Sequence, residues 1–306
     1  MRLVSFFNQT NNTIRPGLVE QEVVIDIQHA KKLLQLTVPD SIQEIIEHYA
    51  TAHKDLQFIA ETARQGRLNE ASYTLKDVSL TAPIPRPRKN IMCLAVNYTE
   101  HAKETAALRE HGGKAPTQPV MFTKAPTSVN GPYGNIVINP AVSQQIDWEV
   151  ELGVIIGKKG INIHEDEAMN YVFGYTVLND VTARDLQSRH KQFFKGKSLD
   201  GSCPMGPCIV TADEISDPHN LALRLRVNGE IKQDGNTTQM IFSIPDMIAT
   251  LSLGMTLEPG DIIATGTPSG VGFSRVPPEF LQPGDIMESE VEGIGTLRNP
   301  IVSSQQ

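Results

Sequence analysis

Residues 146–157, I-D-W-E-V-E-L-G-V-I-I-G, alternate acidic and apolar positions and then become apolar throughout. Because successive side chains of a β-strand point to opposite faces, Asp147, Glu149 and Glu151 are predicted to share one face of a strand. The V-I-I that follows is apolar on both faces, which indicates a strand entering the interior. An isolated buried carboxylate is too costly to keep ionised. A half-exposed strand with a solvated acidic face is the commoner cause of such alternation, but the apolar continuation favours a buried strand end with a compensating positive charge beside these acids.

Short apolar runs separated by turn residues recur along the chain and predict further β-strands. These runs cover residues 136–138, 148–156, 174–178, 223–227, 262–265 and 286–291. The pair Asn228-Gly229 has the residues that a type I′ hairpin turn requires. Many short strands with few helical patterns predict a mixed, predominantly β domain.

The first part of the chain has a different pattern. A hairpin is predicted over residues 3–27, with its turn near residues 13–17. The sequence S-I-Q-E at residues 41–44 has the form of a capping box, in which a hydroxyl and a carboxylate each satisfy a free amide at a helix start. Isoleucines follow at helical spacing and predict a helix with one buried face that ends by Gly66.

A proline-rich segment, A-P-I-P-R-P-R at residues 82–88, separates the two patterns. Its three prolines exclude both a helix and a central strand, because each fixes φ and lacks an amide donor. The sequence therefore predicts an α+β, mainly β, protein in two parts. A small N-terminal α/β module covers residues 1–84, and a mixed β domain covers residues 85–306.

The composition favours some classes of protein over others. The chain has 306 residues, of which 40% are hydrophobic and 20% charged, as is typical of a globular protein. The formal charge of −8 disfavours binding to nucleic acid or to an anionic membrane, since phosphate groups are bound by clustered Lys and Arg. We find neither a signal-peptide core nor a stretch of roughly 18 apolar residues that would span a membrane. Three cysteines without C-x-x-C spacing fit a reducing cytoplasm. A cytoplasmic protein that binds small molecules is predicted.

Asp180 adds a further acid at the end of a predicted strand, in the sequence N-D-V-T-A-R-D-L-Q. Strand ends are common places for ligand sites, although a turn residue would show the same pattern. With Glu149 and Glu151, Asp180 would supply three oxygen ligands and no His or Cys. Such a set suits a hard cation, Mg²⁺ or Mn²⁺. The ion would provide the positive charge that the buried acids require.

His101 and Glu104 lie three residues apart in N-Y-T-E-H-A-K-E, so their side chains would meet on one helical turn. A carboxylate beside an imidazole fixes its tautomer and favours a general base that takes a proton from water. A solvent-exposed pair is the commoner fate of this pattern. Residues 109–119 are predicted to form a mobile loop. The preceding His101–Glu104 pair could then be part of a lid.

Two other segments carry groups that could bind a substrate. In F-F-K-G-K-S, either Lys195 or Lys197 could supply a cation for a developing oxyanion. T-G-T-P-S-G-V-G, residues 265–272, is a loop of small residues that could offer amides and hydroxyls to a carboxylate. The loop lacks the spacing and the lysine of a phosphate-binding Walker motif.

Five motifs together make the chain resemble the fumarylacetoacetate hydrolase family over about residues 85–300. They are N-Y-x-x-H-A-x-E, D-W-E-V-E-L-G-V-I-I-G, N-D-V-T-A-R-D-L-Q, G-K-S-L-D-x-S-C-P and T-G-T-P-S-G-V-G. The branch it is most similar to contains bacterial acylpyruvases and oxaloacetate decarboxylase-like proteins with an added N-terminal domain. The resemblance implies a mixed β-sandwich-roll fold, a homodimer and one Mg²⁺ or Mn²⁺ per subunit.

The resemblance also implies roles for eight residues of this sequence. Glu149, Glu151 and Asp180 match the metal ligands, His101 and Glu104 match the catalytic dyad, and Gln187, Lys197 and Thr267 match residues that contact the substrate. Lys197 is preferred to Lys195 because its distance to S-C-P matches the motif.

The implied reaction is metal-assisted cleavage of a carbon–carbon bond in a 2,4-dioxo acid of the acylpyruvate or fumarylpyruvate type, which releases pyruvate. His101, held by Glu104, would activate water, and Lys197 would stabilise the departing enolate. Decarboxylation of oxaloacetate and tautomerisation of 2-oxo acids are alternatives that use the same site. A non-catalytic metabolite-binding protein is a further alternative, although binding alone requires neither the dyad nor Lys197.

Overall fold

The apolar run V-E-L-G-V-I-I lies at the centre of the computed structural model, which describes residues 1–8, 13–105 and 116–304. All residues of this strand, Val150–Ile156, are buried. Its side chains alternate between two hydrophobic cores, with Val154 in one and Ile155 in the other. The two-sided apolar pattern therefore belongs to a strand that is covered on both faces.

Strands make up most of the regular structure of the described residues. In chain order they are β1 (Arg2–Asn8), β2 (Thr13–Glu20), β3 (Val23–Asp26), β4 (Ser72–Thr74), β5 (Ser79–Thr81), β6 (Ile91–Ala95), β7 (Val120–Lys124), β8 (Val129–Asn130), β9 (Ile136–Ile138), β10 (Ile146–Asp147), β11 (Val150–Ile156), β12 (Val172–Asn179), β13 (Thr182–Ala183), β14 (Cys203–Thr211), β15 (Ala222–Val227), β16 (Glu230–Asn236), β17 (Ile262–Ala264), β18 (Ile286–Val291) and β19 (Gly295–Ser303).

The α-helices within the described residues are mostly short. They are α1 (Ile27–Leu34), α2 (Ile42–Glu47), α3 (Tyr49–Arg64), α4 (Thr99–Glu104), α5 (Glu165–Ala168), α6 (Arg184–His190), α7 (Phe194–Lys197) and α8 (Ile244–Ser252). None of these helices is both long enough and apolar enough to cross a membrane.

A twelve-stranded mixed sheet separates the two cores. Its strand order is β4-β3-β2-β1-β14-β12-β11-β17-β6-β7, with β5 beside β1 and β8 beside β14. Side chains of the five-stranded sheet β16-β15-β18-β19-β9 pack on one face, and side chains of α1, α2 and α3 pack on the other. Strands β10 and β13 form a small separate sheet. The predicted α+β, mainly β, fold is confirmed.

The strands of the first 84 residues extend this large sheet. β1 pairs with β14 in an antiparallel register that places Leu3 opposite Ile209. Helices α1 to α3 then cover the sheet through the same core that contains Ile155 and Ile262. The division into residues 1–84 and 85–306 stays a prediction.

The predicted turn at residues 13–17 is wrong in position, because Thr13 to Gly17 belong to β2. The connection from β1 to β2 falls on residues 9–12, which lie outside the described residues. Packing, and not a turn, explains why position 17 is a glycine. A Cβ at this position would lie 2.8 Å from Val24 and 2.9 Å from Val4, so the two valines fill the space of a side chain.

The hairpin turn at residues 228–229 is confirmed, whereas the capping box at residues 41–44 is confirmed only for its serine, because the Glu44 carboxylate accepts a hydrogen bond from the amide of Asp40 at 3.2 Å. The Ser41 hydroxyl accepts a hydrogen bond from the amide of Glu44 at 3.2 Å and caps α2. The φ angles of Asn228 and Gly229 are 53° and 81°, as a type I′ turn between β15 and β16 requires.

Candidate active site

Four neighbouring strands bring the predicted site residues to one edge of the large sheet. Strands β12 and β17 run antiparallel to β11, and β6 runs parallel to β17. The start of β11, with Glu149 and Glu151, therefore lies beside the ends of the other three. Asp180 follows β12, Thr267 follows β17, and His101 lies on α4 after β6.

Glu149, Glu151 and Asp180 form a buried cluster of carboxylates. One oxygen of each lies within 4.8 Å of an oxygen of the other two. The residues are 5%, 1% and 1% exposed, so water alone does not compensate their charge. Hard oxygen donors in this number fit a divalent cation such as Mg²⁺ or Mn²⁺. The residues present therefore fit the cation site that the sequence predicted.

The prediction of one continuous strand carrying three acids on one face is wrong. The chain leaves β10 at Asp147 and enters β11 at Val150. Between them, the side-chain oxygen of Asn179 accepts a hydrogen bond from the amide of Glu149 at 3.1 Å, and the carbonyl of Glu149 accepts one from the amide of Asp180 at 2.9 Å. The interruption separates Asp147 from the cluster that contains Glu149 and Glu151.

Asp147 anchors a loop. Its carboxylate accepts hydrogen bonds from the amides of Gly272 at 2.6 Å and Phe273 at 3.1 Å, at the end of the small-residue loop of residues 265–272. It also accepts one from Nε of Arg184 at 2.8 Å. Asp147 is fully buried, and burial raises its pKa even though Arg184 opposes the shift. The acid therefore holds the loop and the arginine beside the site.

Three buried cations contact the acids. The Nζ atom of Lys197 lies 2.6 Å from Glu149 and 2.7 Å from Asp180. Lys124 lies 2.8 Å from the other oxygen of Asp180, and Arg184 lies 2.6 Å from Glu149. The Lys197 ammonium thus shares two of the carboxylates that would bind a divalent ion.

The acids differ in their protonation equilibria. Burial favours the neutral form of Glu149, but the two cations beside it outweigh burial and lower its pKa to about 2. Glu151 accepts a hydrogen bond from the amide of Gly266 at 2.8 Å and forms no ion pair with any described residue. Burial and the neighbouring carboxylates raise the pKa of Glu151 well above its usual range. A positive charge beside Glu151 would oppose this shift and favour the ionised form.

His101 and Glu104 meet as the sequence predicted, with Nδ1 of the ring 3.1 Å from the carboxylate. The amide of Gly270 donates to the other carboxylate oxygen at 2.9 Å. Burial favours neutral Glu104, but hydrogen bonds from His101, Ser274 and Gly270 lower its pKa. With Nδ1–H donated to Glu104, the imidazole keeps Nε2 as a proton acceptor.

A cavity of about 390 Å³ opens at this edge of the sheet. Of the eight predicted site residues, those lining it are His101, Glu149, Glu151, Gln187, Lys197 and Thr267. Glu104 contacts His101, and Asp180 contacts Lys197, so both support lining residues. Lys195 is exposed and does not line the cavity. Residues 109–115 of the predicted lid lie outside the described residues.

Lys124 and Arg184 are site residues that the sequence patterns do not predict. Lys124 ends β7 in V-M-F-T-K, where an exposed lysine would be equally typical. Arg184 begins α6, and its partners Asp147 and Glu149 lie more than thirty residues away in sequence. Buried acids require cations beside them, so the sequence indicates that such cations exist. It does not indicate which residues supply them.

A mainly β fold with buried carboxylates beside a histidine in one cavity is consistent with a metal-assisted enzyme. A sequence model described as fumarylacetoacetate (FAA) hydrolase C-terminal matches residues 90–302. The chain belongs to the fumarylacetoacetate hydrolase family.

Three known proteins illustrate the similarity. Oxaloacetate tautomerase YisK of Bacillus subtilis (strain 168) is 48% identical over 289 residues, which cover 93% of this chain and 94% of the relative. A fumarylacetoacetate hydrolase structure from Exiguobacterium antarcticum has a TM-score of 0.80 at 38% identity and covers 99% of this chain and 100% of its own. Maleylpyruvate hydrolase from Sphingobium sp. SYK-6, solved with manganese(II) and pyruvate, has a TM-score of 0.77 at 32% identity, with both chains fully covered.

Proposed function

We propose that the protein is a divalent-metal-dependent oxaloacetate tautomerase, which interconverts the keto and enol forms of oxaloacetate. The observation that carries the proposal is that His101 lines one cavity with Glu149 and Glu151, two of the three clustered carboxylates. Enolisation requires a base and a positively charged site for the 2-oxo oxygen, and both are available there. Similarity to the tautomerase from Bacillus subtilis favours this alternative over the carbon–carbon hydrolase reaction.

Glu149, Glu151 and Asp180 would hold one Mg²⁺ or Mn²⁺ per subunit. An ion bound there would supply Lewis-acid polarisation of the 2-oxo group. The manganese ion of the related maleylpyruvate hydrolase supports this choice of metal. The surplus of buried negative charge around Glu151 supports it independently.

His101 would move the proton. In enolisation, Nε2 takes a proton from C3, the C–H electron pair forms the C2=C3 bond, and the carbonyl π electrons move to the C2 oxygen. The imidazolium returns the proton to that oxygen, so no proton is gained or lost. Glu104 holds the ring and stabilises its charged form, while Lys197 contributes positive charge near the enolate.

Gln187 and Thr267 would orient the substrate. The side-chain oxygen of Gln187 accepts a hydrogen bond from Arg184 at 3.2 Å, which leaves its NH₂ group to donate to a substrate carboxylate. The Thr267 hydroxyl donates to the carbonyl of Val150 at 2.9 Å and accepts from Gln233 at 2.8 Å. These bonds fix both side chains at the cavity wall before a ligand binds.

The proposal is tested by adding freshly dissolved enol-oxaloacetate to Mn²⁺-loaded protein and following loss of the enol ultraviolet absorbance. Carbon dioxide release is measured in parallel. Rapid loss of the enol without a matching release of carbon dioxide supports the tautomerase. Carbon dioxide release at the same rate would establish the decarboxylase instead.

Hydrolysis of an acylpyruvate is the second candidate, favoured by the likeness to maleylpyruvate hydrolase. The same His101–Glu104 pair would activate water for attack on the 4-carbonyl. Acetylpyruvate is therefore assayed for pyruvate release under identical conditions. Faster turnover of acetylpyruvate than of enol-oxaloacetate would replace the tautomerase proposal with the hydrolase.

His101→Asn is expected to slow oxaloacetate tautomerisation about a hundredfold, because general base catalysis typically contributes at least that factor. Asparagine cannot take up the proton, whereas it preserves much of the side-chain volume. Mn²⁺ affinity, measured by calorimetry, should stay within a few-fold of wild type, since His101 is not a ligand in this proposal. Full activity in the variant would exclude His101 as the base.

The homodimer implied by the resemblance and a cytoplasmic location are also proposals. The homodimer is tested by analytical sedimentation of the full chain at micromolar concentration. A single species of about 67 kDa is expected from a chain of 33.6 kDa, and a monomer would contradict the proposal.

A further inference from the structure

We propose that Lys191, at the mouth of the cavity, binds the second carboxylate of a dicarboxylic 2-oxo acid and thereby selects dicarboxylic over monocarboxylic substrates. The inference rests on the proposed function, because it concerns the same cavity. It assigns a specificity role to a residue outside the predicted catalytic, substrate-binding and metal-binding sets.

Lys191 is the cavity-lining cation that has no anionic partner among the described residues. Arg184 is paired with Asp147 and Glu149, and Lys197 is paired with Glu149 and Asp180. The Lys191 side chain is exposed, lines the cavity and forms no ion pair with a described carboxylate. Its charge is therefore available to a ligand.

One face of α6 leads from the acids toward Lys191, the residue that immediately follows the helix. Arg184, Gln187, Ser188 and Lys191 all line the cavity, at spacings of three, four and seven residues from the first. Seven helical residues span about 10 Å, so the backbone of Lys191 lies well away from the carboxylate cluster that Arg184 contacts. A short dicarboxylic acid held at the acids extends along this face, and the flexible lysine stem spans the remaining distance.

The backbone at Lys191 is held in an unusual conformation. Its φ and ψ are 59° and −40°, outside the regions that a residue with a Cβ ordinarily adopts. Val96, another lining residue, has φ 57°. Strained residues of this kind persist where the surrounding structure fixes them, and they are concentrated at ligand-binding sites. The strained conformation of Lys191 is thus a second observation, besides its unpaired charge, that favours a ligand-binding role for this residue.

The other described side chains of the cavity wall are poorly suited to neutralise the distal carboxylate of a substrate. Beyond the acids and their cations, the wall includes the apolar side chains of Phe122, Phe193 and Phe273. Aromatic faces carry partial negative charge and do not compensate an anion. Among the described residues that line the cavity, Lys191 is the unpaired cation available to a carboxylate directed toward the mouth.

The test compares Lys191→Met with Lys195→Met, an exposed lysine of the same segment that does not line the cavity. KM and kcat are measured for oxaloacetate with Mn²⁺-loaded protein. Lys191→Met should raise KM about tenfold to a hundredfold with kcat nearly unchanged, since a charge-assisted contact present in both ground and transition state is lost. Lys191→Arg should restore most of the affinity, and Lys195→Met should match wild type.

The same proteins are then assayed on 2-oxobutanoate, a monocarboxylic acid, by exchange of its C3 hydrogens with deuterium from water. Lys191→Met should leave this exchange within twofold of wild type. An unchanged KM for oxaloacetate, or an equal loss on both acids, would overturn the specificity role.

Calorimetric binding of oxaloacetate and 2-oxobutanoate separates this inference from the proposed function. If wild type binds both acids without tautomerising either, the tautomerase proposal fails. The role of Lys191 is then still supported by a selective loss of oxaloacetate binding in Lys191→Met, and it is overturned by equal binding in variant and wild type.

Discussion

Replacing Glu151 with glutamine is expected to lower the turnover of oxaloacetate at least a thousandfold while raising the stability of the metal-free protein. Glutamine has the same shape but removes one negative ligand, so Lewis-acid chemistry at the site is lost. Glu151 is buried, and burial with the nearby carboxylates raises its pKa. The metal-free fold therefore resists the ionisation of Glu151 that the unfolded chain undergoes freely, and this difference lowers its stability at neutral pH.

The direction of this effect on stability can be tested by measuring thermal unfolding at different pH values. A folded-state pKa above the unfolded value of about 4.3 means that the folded state binds more protons between the two values. The penalty of Glu151 therefore grows as pH rises through this window and disappears below it. At pH 7 the metal-free Glu151→Gln variant should melt about 2 °C or more above wild type, and near pH 4 the difference should vanish.

A matched control is Glu100→Gln, which makes the same change on an exposed residue of α4. This variant should retain wild-type turnover. Mn²⁺ should raise the melting temperature of wild type and Glu100→Gln, but not of Glu151→Gln, because only a ligand that binds the folded state stabilises it. Mn²⁺-dependent stabilisation or wild-type turnover in Glu151→Gln would exclude Glu151 from the metal site.

The parts of this site that were predictable from the sequence are those set by local geometry. Residues three apart on a helix meet, so the contact between His101 and Glu104 followed from their spacing alone. The bounds of β18, Ile286–Val291, likewise match a strand predicted from one short local run of the sequence. In both cases the residues that determine the structure are neighbours in the chain.

The parts that were not predictable depend on partners distant in sequence. The break between β10 and β11 is stabilised by Asn179 of another strand. The sequence of residues 146–157 alone does not predict this break. Lys124 is 0% exposed because Asp180 lies beside it, although its own strand has the pattern of a surface lysine. Charge balance predicted that cations must be present, but only the packing of the sheets determines which ones.

Arg184→Met is expected to have the largest effect on stability, a loss of about 3–5 kcal/mol in the free energy of unfolding, because it leaves buried carboxylates without their cation. Arg184 is 8% exposed and binds Asp147 and Glu149. Its guanidinium also lies 4.1 Å from the ring centre of Phe273, a contact that the methionine side chain partly preserves. Most of the loss should therefore come from charge, and it is measured by urea unfolding at pH 7.

A second substitution separates lost charge from lost packing. In Arg184→Met/Asp147→Asn, one of the stranded charges is removed, so the double variant should be less destabilised than the sum of the single variants by about 2 kcal/mol. Burial already raises the pKa of Asp147 in the wild type, and removing Arg184 should raise it further. The folded Arg184→Met protein then binds more protons than the unfolded chain at intermediate pH, and its stability relative to the double variant should rise as pH falls toward 4. Strict additivity of the two substitutions, with no such dependence on pH, would mean that Arg184 stabilises the fold through its contact with Phe273 and not through its charge.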